Sequence, residues 1–331
     1  MGLLSGSLSR RHFCLCCMTG AAFAATGGWL SPRQAFAEAR GLVTLIKDSA
    51  ASSPVTSYKL RGNVSVLEGS GGNIAVLTGP DGKVLIDGGI SVSRPQLTKT
   101  LSSLGAEPIT HLIKTHWHFD HTSGNEWLHS VGAEIIAHSN TRKHLSEIQR
   151  VEDWDYNFLP LPAGAIPTEV LSANRKLTLN GASIELKPYQ PAHTDSDLSV
   201  SFTEPDILHT GDTYWNGVYP FIDYSTGGSI DGMIAASDAN LAASADSTII
   251  IPGHGKPVSN KSELTGLSRH ACRYSRQGRC IKEGGPDVAG DGCCHADRRS
   301  RRKVGPVRHR PGIFHQACVR RRLTGNLRRM A

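Results

Sequence analysis

Four side chains that can bind a metal ion lie within six consecutive residues. They are His116, His118, Asp120 and His121. Side chains alternate along an extended backbone, so His116 and His118 face the same side. A turn after Phe119 would direct Asp120 and His121 into the same space. An isolated His-x-His pair is common on protein surfaces, whereas three histidines and one aspartate at this spacing indicate a metal site.

The segments on either side of this cluster predict the elements that would hold it. Residues 109–113 form a short apolar run that is typical of a strand. Ser123 and Glu126 have the Ser-x-x-Glu spacing of a capping box, which predicts that a helix begins there. The expected local structure is therefore a strand, a metal-binding turn and a helix.

The His-x-His-x-Asp-His pattern resembles the metallo-β-lactamase superfamily of metallohydrolases. Three later segments resemble the remaining motifs of that family, in the family's order: residues 191–196 around His193, the Gly-Asp-Thr at Asp212, and a strand followed by His254. All four motifs lie within residues 58–265, the predicted catalytic domain. The resemblance implies an α/β fold, the four-layer αβ/βα metallo-β-lactamase sandwich, with the metals at one edge between two mixed sheets.

The same resemblance implies a dinuclear site. The first metal would take His116, His118 and His193. The second would take Asp120, His121 and His254, and Asp212 would bridge the two. Imidazoles and carboxylates without a thiolate suit two Zn²⁺ ions, and iron or manganese can use the same donors.

The implied chemistry is hydrolysis by a metal-bound hydroxide, because a bound metal lowers the pKa of water towards neutrality. Asp120 is the candidate catalytic residue, since as a ligand and hydrogen-bond acceptor it would orient that hydroxide. The expected substrate is a small molecule with an ester, lactone, thioester or amide bond, a β-lactam included. A bridging Asp212 resembles glyoxalase II and lactonase-type members more than the classical β-lactamases, which lack a carboxylate bridge.

Charge and cysteine are distributed unevenly along the chain. The net charge is +7, but residues 266–331 contain 17 of the 36 Lys and Arg and only 4 of the 29 Asp and Glu. The part before residue 266 is therefore acidic. Cysteines occur at positions 14, 16 and 17 and then only beyond residue 266. The catalytic body thus has neither a disulfide framework nor a thiolate ligand available.

The first residues resemble an export signal. Arg10 and Arg11 lie in a Ser-Arg-Arg-His-Phe segment that resembles the twin-arginine motif, and a weakly apolar stretch leads to Ala35-Phe36-Ala37, a small-x-small cleavage site. We expect a cleaved signal at residues 1–37, a leader at 38–57 and a mature chain without a membrane span. An uncleaved anchor is the alternative, although its glycines and threonines make it marginal as a span. The export machinery would be a partner, and the location periplasmic or secreted.

The sequence pattern of the catalytic body predicts alternating strands and helices. We expect strands at residues 63–67, 74–77, 83–86, 134–137, 198–202, 207–208 and 249–251, and a hairpin over 176–186 around Asn180-Gly181. Helices are expected at residues 97–104, 124–131, 139–148 and 230–243, the last capped by Ser229. Asp87 follows a strand, and the resembling family carries an Asp-Gly at the base of its site. An aspartate that caps its own turn fits the same sequence equally well.

Two segments are candidates for the walls of the substrate pocket. Residues 151–169 are rich in aromatics and prolines without a regular pattern, and long loops of this kind are often functional. They could equally be a simple crossover. Residues 217–232 follow Asp212 closely. Tyr214, just before this segment, and Tyr219 and Tyr224 within it are therefore the weak candidates for substrate contact.

The tail at residues 266–331 is Arg-rich and shows no heptad, no strand alternation and no Cys-x-x-Cys pair. We interpret it as a basic segment without a packed fold, translated out of frame in place of a helical end. A nucleic-acid-binding arm is the alternative. In either case we expect an outer sheet face to lack its covering helix. The function classes that compete are an exported dinuclear zinc hydrolase and a non-catalytic protein, either a metal-binding relic or a basic-tailed binding protein.

Overall fold

The computed structural model describes residues 32–268, with side chains from residue 41 onwards. The predicted twin-arginine motif and the tail from residue 269 lie outside these residues. The predicted cleavage site at residues 35–37 falls within the first helix, which covers Pro32–Ser52. None of the helices within residues 32–268 combines the length and the apolar character that a membrane span requires.

Seven helices and sixteen strands make up the described part of the chain. The helices are α1 (Pro32–Ser52), α2 (Arg94–Ser103), α3 (Phe119–Thr122), α4 (Asn125–Ser130), α5 (Ser139–Ser146), α6 (Ile230–Ala243) and α7 (residues 261–268). The strands are β1 (Thr56–Lys59), β2 (Val64–Glu68), β3 (Ile74–Leu77), β4 (Lys83–Ile86), β5 (Ile109–Ile113), β6 (Glu134–His138), β7 (Gln149–Val151), β8 (Tyr156–Phe158), β9 (Glu169–Leu171), β10 (Arg175–Leu179), β11 (Ala182–Pro188), β12 (Leu198–Phe202), β13 (Ile207–His209), β14 (Trp215–Asn216), β15 (Ile249–Ile251) and β16 (His254–Gly255).

Two mixed sheets face each other across the main core. The larger has the order β1-β2-β3-β4-β5-β6-β9, antiparallel up to β4 and parallel from there on. The smaller has the order β10-β11-β12-β13-β15, in which only β13 and β15 are parallel. Alternate residues of each strand point inwards, for example Val64 and Val66 of β2 against Ile184 and Leu186 of β11. This is the sandwich that the resemblance implies.

Helices cover the outer face of the larger sheet. Leu97 and Leu101 of α2 and Leu128 of α4 pack on the outward side chains of β3 to β6, such as Val76 and Leu112. These outward residues are apolar as well, so the central strands are buried on both faces, as parallel strands usually are.

An outer sheet face without its covering helix was expected, but two helices cover part of the outer face of the smaller sheet. Leu264 of α7 is fully buried against Ile250, with Leu241 of α6 and Leu267 of α7 packed beside it. The predicted domain boundary at residue 265 therefore falls inside a helix that packs on the sheet. The part of this face without a helix is polar instead, and its outward residues are Lys176, Thr178, Ser183, Glu185 and Lys187.

The segment predicted as a leader joins the fold through α1 and β1. Apolar residues of α1 at helical spacing, among them Val43, Ile46 and Ala50, are buried against Trp117 and Trp154. Ser93 donates a hydrogen bond to the carbonyl of Ala50, which ties the end of the helix to the domain. The helix therefore packs behind the strand-to-helix turn that holds the histidine cluster.

Local predictions held where turn chemistry was clear. Asn180 and Gly181 have φ values of +53° and +72°, as a type I′ hairpin turn requires. Ser229 caps α6 by accepting from the amide of Gly232. The predicted capping box at Ser123 is wrong. Ser123 caps the end of α3, and the Ser123 hydroxyl bonds to Ser91 instead of to an amide of α4.

Candidate metal centre

Four loops at one edge of the sandwich bring the seven predicted ligands together. His116 and His118 lie between β5 and α3, and Asp120 and His121 lie within α3. His193 lies on the loop before β12. Asp212 lies in a single helical turn after β13, and His254 follows β15. All seven residues are buried, and each residue is at most 9% exposed.

The side chains form three groups of three that could hold a metal ion. Two of them share no residue and are the half-sites described next, and the third, His116, His121 and Asp212, joins them. In the first half-site, made of His116, His118 and His193, Nδ1 of His118 lies 2.9 Å from Nε2 of His193. In the second half-site, made of Asp120, His121 and His254, Nε2 of His254 lies 3.3 Å from Nε2 of His121 and 3.1 Å from Oδ2 of Asp120.

Asp212 lies between the two half-sites. Its Oδ2 is 3.5 Å from Nε2 of His193 and 3.3 Å from Nε2 of His254, and its Oδ1 is 3.2 Å from Nε2 of His121. The carboxylate thus reaches nitrogen atoms of both groups, which is the position that a bridging ligand needs.

Hydrogen bonds behind the histidines fix which ring nitrogen faces inwards. His118 donates from Nε2 to Asp223 at 3.1 Å, and His121 donates from Nδ1 to Asp87 at 2.8 Å. His193 donates from Nδ1 to the carbonyl of Phe221 at 2.6 Å. Each of these rings therefore directs its other nitrogen into the site, and that nitrogen offers a lone pair when the ring is neutral.

The ring of His116 is oriented in the same way, through the hydroxyl of Thr115. The hydroxyl of Thr115 donates to Asp87 at 2.7 Å, so its oxygen accepts from Nδ1 of His116 at 3.1 Å. Nε2 of His116 then has no hydrogen-bond partner among the described residues. A buried polar atom without a partner costs free energy, and a metal ion bound to this nitrogen would remove that cost.

These residues fit a metal ion. Ligand atoms around a tetrahedral zinc with bonds of about 2.0–2.1 Å lie roughly 3.4 Å apart. The ligand atoms of each group lie within 4.8 Å of one another. The donors are imidazole and carboxylate, which suit zinc, iron or manganese. The site can therefore bind metal ions.

Charge differs between the two half-sites. Burial lowers the pKa of His193 to about 4, and burial together with the neighbouring His121 lowers the pKa of His116 well below its usual value. Burial has the same tendency at His121, but the carboxylates of Asp212, Asp120 and Asp87 outweigh it and raise its pKa to about 10. His116 and His193 thus favour the neutral imidazole, whereas His121 favours the imidazolium, and a metal ion bound at the second half-site would have to displace its proton.

Asp87 organises the floor of the site. It accepts from the amide and hydroxyl of Thr115 and from His121, and the ammonium of Lys114 lies 3.5 Å away. Lys114 also donates to the carbonyl of His121. Despite burial, Lys114 and His121 hold the pKa of Asp87 well below its usual value. Of the two sequence interpretations of Asp87, the structure favours the position behind the ligands.

Three glycines lie directly behind the ligands. A Cβ atom at Gly253 would clash with Oδ1 of Asp212, and one at Gly72 would clash with the ring of His121. At Gly71, where φ is +76°, a Cβ would clash with the backbone of Asp120. The backbone therefore approaches the ligands as closely as a residue without a side chain allows.

Aromatic side chains form a wall beside the first half-site. The ring of Trp154 lies 5.1 Å from that of His118 and stacks on Phe221 at 5.1 Å. Trp154 belongs to the turn of the β7–β8 hairpin, inside the aromatic segment predicted from the sequence. The structure therefore places part of that segment against the metal site.

The three tyrosines lie in different surroundings. Tyr214 is 1% exposed, and its hydroxyl bonds to Ser259 at 2.8 Å in the cluster with Ile250 and Leu264. This packing does not support a role for Tyr214 in substrate contact. Tyr224 packs with Ile222 and Met233 beside α6, and Tyr219 is half-buried in the loop after β14.

Asp223, Phe221 and Trp215 contribute to the site but were not singled out in the sequence. Asp223 lies 105 residues from His118 in the chain, and Phe221 acts through its carbonyl, which no side-chain pattern reveals. The available signal was their proximity to Asp212. His209, in contrast, bonds only to the backbone of Asn73 and Gly211 and fixes the loop that carries Asp212.

Comparison with known proteins identifies the family. A family model described as the metallo-β-lactamase superfamily matches residues 67–254, more than half of the chain. The chain belongs to the metallo-β-lactamase superfamily. It is accordingly a member of a family of metal-dependent hydrolases that act on small molecules, and its histidine and aspartate cluster lies within the matched residues.

Individual relatives agree with this assignment. A hydroxyacylglutathione hydrolase of a Polaromonas species is 28% identical over 149 residues, 44% of this chain and 48% of the relative. The chain thus spans about half the length of that relative. An uncharacterized protein of Mycobacterium tuberculosis is 28% identical over 176 residues, 48% of this chain and 77% of the relative.

The fold also matches solved structures. A metallo-β-lactamase from Cronobacter sakazakii superposes with a TM-score of 0.56 at 17% identity, and the match covers 71% of this chain and 98% of that one. At this identity the likeness concerns the sandwich fold alone.

Proposed function

We propose that the protein is a dinuclear zinc hydrolase that cleaves an ester, lactone, thioester or amide bond of a small molecule. The observation that carries the proposal is the position of Asp212, whose carboxylate reaches nitrogen atoms of both half-sites within 3.5 Å. A carboxylate in that position fits two metal ions with one shared ligand. The same feature favours substrates of the thioester and lactone kind over β-lactams, and the match to a hydroxyacylglutathione hydrolase supports this preference.

The zinc ions, when bound, would lower the pKa of a coordinated water and polarise the scissile carbonyl. The protein's own groups do the positioning. Asp120 would accept a hydrogen bond from the attacking water and hold it in line with the carbonyl carbon. The hydrogen bonds of Asp87, Asp223 and the Phe221 carbonyl keep the ligand rings in one orientation, and the aromatic wall keeps bulk water from the first half-site.

Metal content and turnover test this proposal together. The full chain, loaded with zinc and freed of excess metal, should contain two zinc ions and hydrolyse at least one substrate of a panel of thioesters, lactones, esters and β-lactams. Chelation should abolish turnover, and zinc should restore it. A protein with two zinc ions and no turnover on the whole panel would favour the non-catalytic relic.

Export to the periplasm or cell exterior is the second part of the proposal, and the Arg10-Arg11 pair in the first residues supports it. Replacing both arginines by lysine should leave the precursor in the cytoplasm, because the twin-arginine pathway recognises the pair itself. Normal export of this double variant would mean that the segment is a signal of another kind.

A further inference from the structure

One polar group beside the metal centre has no role in the chemistry described so far. The indole N–H of Trp215 is buried, since the side chain is 2% exposed, and no described residue accepts a hydrogen bond from it. A buried donor without an acceptor is unfavourable, so native structures rarely retain one without a reason. Trp215 lies three residues after Asp212, on strand β14.

The strand register directs Trp215 to the metal site. Strand β14 pairs in parallel with β16, and Trp215 is opposite His254. Residues directly opposite each other on neighbouring strands project to the same face. Because His254 faces the second half-site, Trp215 faces it too, and the two rings meet edge to face at 4.7 Å. The ring of His193 in the first half-site is 6.5 Å from that of Trp215.

We infer that the indole N–H of Trp215 donates a hydrogen bond to an oxygen atom of the substrate's acyl group. This inference rests on the proposed function, since every bond class in that proposal has a carbonyl oxygen and yields a carboxylate. An indole donates and cannot accept, so it selects an oxygen with a lone pair directed at it. The donor stays in place as negative charge builds up on that oxygen and would therefore stabilise the transition state more than the ground state.

A second tryptophan shows what packing alone produces. Trp127 is also buried, and its indole N–H also lacks a partner among the described residues. It packs with Leu97 and Leu101 on the outer face of the larger sheet, and the guanidinium of Arg94 lies over its ring at 5.5 Å. The pair provides a matched control, because replacing either residue by phenylalanine removes one buried indole donor.

The first experiment observes the donor directly. The chain has five tryptophans, so the ¹H–¹⁵N indole signals of the full zinc-loaded protein can be assigned with Trp215→Phe and Trp127→Phe. Acetate serves as the probe because it carries the carboxylate that acyl hydrolysis produces. We expect acetate to shift the Trp215 signal downfield and slow its hydrogen exchange, and to leave Trp127 unchanged. Chloride at equal ionic strength is the control, and an unshifted Trp215 signal would overturn the inference.

The second experiment measures the catalytic effect. With p-nitrophenyl acetate, Trp215→Phe should lower kcat by about 100-fold, as the loss of one donor to a developing oxyanion does, with a smaller change in KM. Zinc content and Tm should match those of Trp127→Phe, which should keep wild-type kcat. Wild-type kcat in Trp215→Phe would contradict the inference. If that variant loses zinc or melts early, the acetate titration of the wild type decides.

The two proposals fail in different ways. A zinc-loaded wild type without turnover on any substrate contradicts the proposed function, whatever acetate does to the Trp215 signal. An active wild type whose Trp215 signal ignores acetate contradicts only the role of this indole.

Discussion

The first half-site, with His116, His118 and His193, lies against aromatic side chains, whereas the second, with Asp120, His121 and His254, lies among charges. Trp154 and Phe221 line the first, and burial there depresses the pKa of His193 to about 4. In the second, carboxylates outweigh burial, and the pKa of His121 rises to about 10. The two half-sites thus differ before a metal binds: burial keeps His193 neutral, whereas His121 is held as an imidazolium that must lose its proton to a metal ion.

The largest effect is expected from removing one ligand of each half-site. His118→Ala and Asp120→Ala should each abolish hydrolysis, with losses beyond the roughly 100-fold typical of residues behind metal ligands. If each half-site binds its own ion, each variant should keep about one zinc per chain, because Asp212 remains for the other ion. Metal analysis and kinetics of both variants check this. Unchanged turnover in either one would rule out a two-metal mechanism.

The next effect concerns the two carboxylates behind the histidines. Asp87→Asn should destabilise the fold by about 3–5 kcal/mol, because it leaves the buried ammonium of Lys114 without its counter-charge. Asp223→Asn removes no such partner and should chiefly lower zinc affinity at the first half-site, by about 10- to 100-fold. Denaturant unfolding and zinc titration of the two variants separate these outcomes. Equal losses of stability would show that charge is not what distinguishes the half-sites.

A smaller effect is expected at the aromatic wall. Trp154→Ala removes the ring that lies 5.1 Å from His118 and should raise KM by about 10-fold while kcat changes less, since burying one side chain contributes about 1.5–3 kcal/mol. Tyr214→Phe is the matched control, because it deletes a hydroxyl that bonds to Ser259 and not to the site. Steady-state kinetics of both variants measure the difference. A larger change in KM for Tyr214→Phe would restore that tyrosine as a substrate contact.

The smallest effect on catalysis is expected under α7, where Leu264 packs with Tyr214 and Ile250. Leu264→Ala opens a cavity under α7 and should cost about 2–5 kcal/mol of stability, with kcat/KM at 25 °C unchanged. Thermal unfolding and kinetics together test this. A fall in kcat/KM as large as that of Trp154→Ala would mean that α7 supports the site as well as the sheet.

The sequence was informative wherever ligands or turn residues are close together in the chain. The cluster from His116 to His121 could be found because strand alternation fixes the direction of its side chains. Most strands followed from short apolar runs, whereas His193, Asp212 and His254 were identified by resemblance to the family's motifs. The hairpin at Asn180-Gly181 is an example of informative turn residues, since few other residues accept two positive φ values in succession.

What the sequence did not reveal depends on contacts between distant segments. Asp223 bonds to His118 only because the loop after β14 folds back over the first half-site, and no local pattern encodes that return. Helix α1 could have been predicted, since Leu42, Val43, Ile46 and Ala50 have helical spacing. The composition change near residue 266 falls within α7. This helix is short and has one fully buried leucine, so its apolar pattern in the sequence is weak.

The glycines behind the ligands restrict which sequences can keep this site. Gly71, Gly72 and Gly253 bind nothing themselves, yet a single added methyl group at any of them would occupy the volume of a ligand or its backbone. Because Gly72 meets His121 and Gly253 meets Asp212, an alanine at either position would push a ligand side chain out of line by the width of an atom. The geometry of the ligands therefore depends on three further positions that carry no functional group at all.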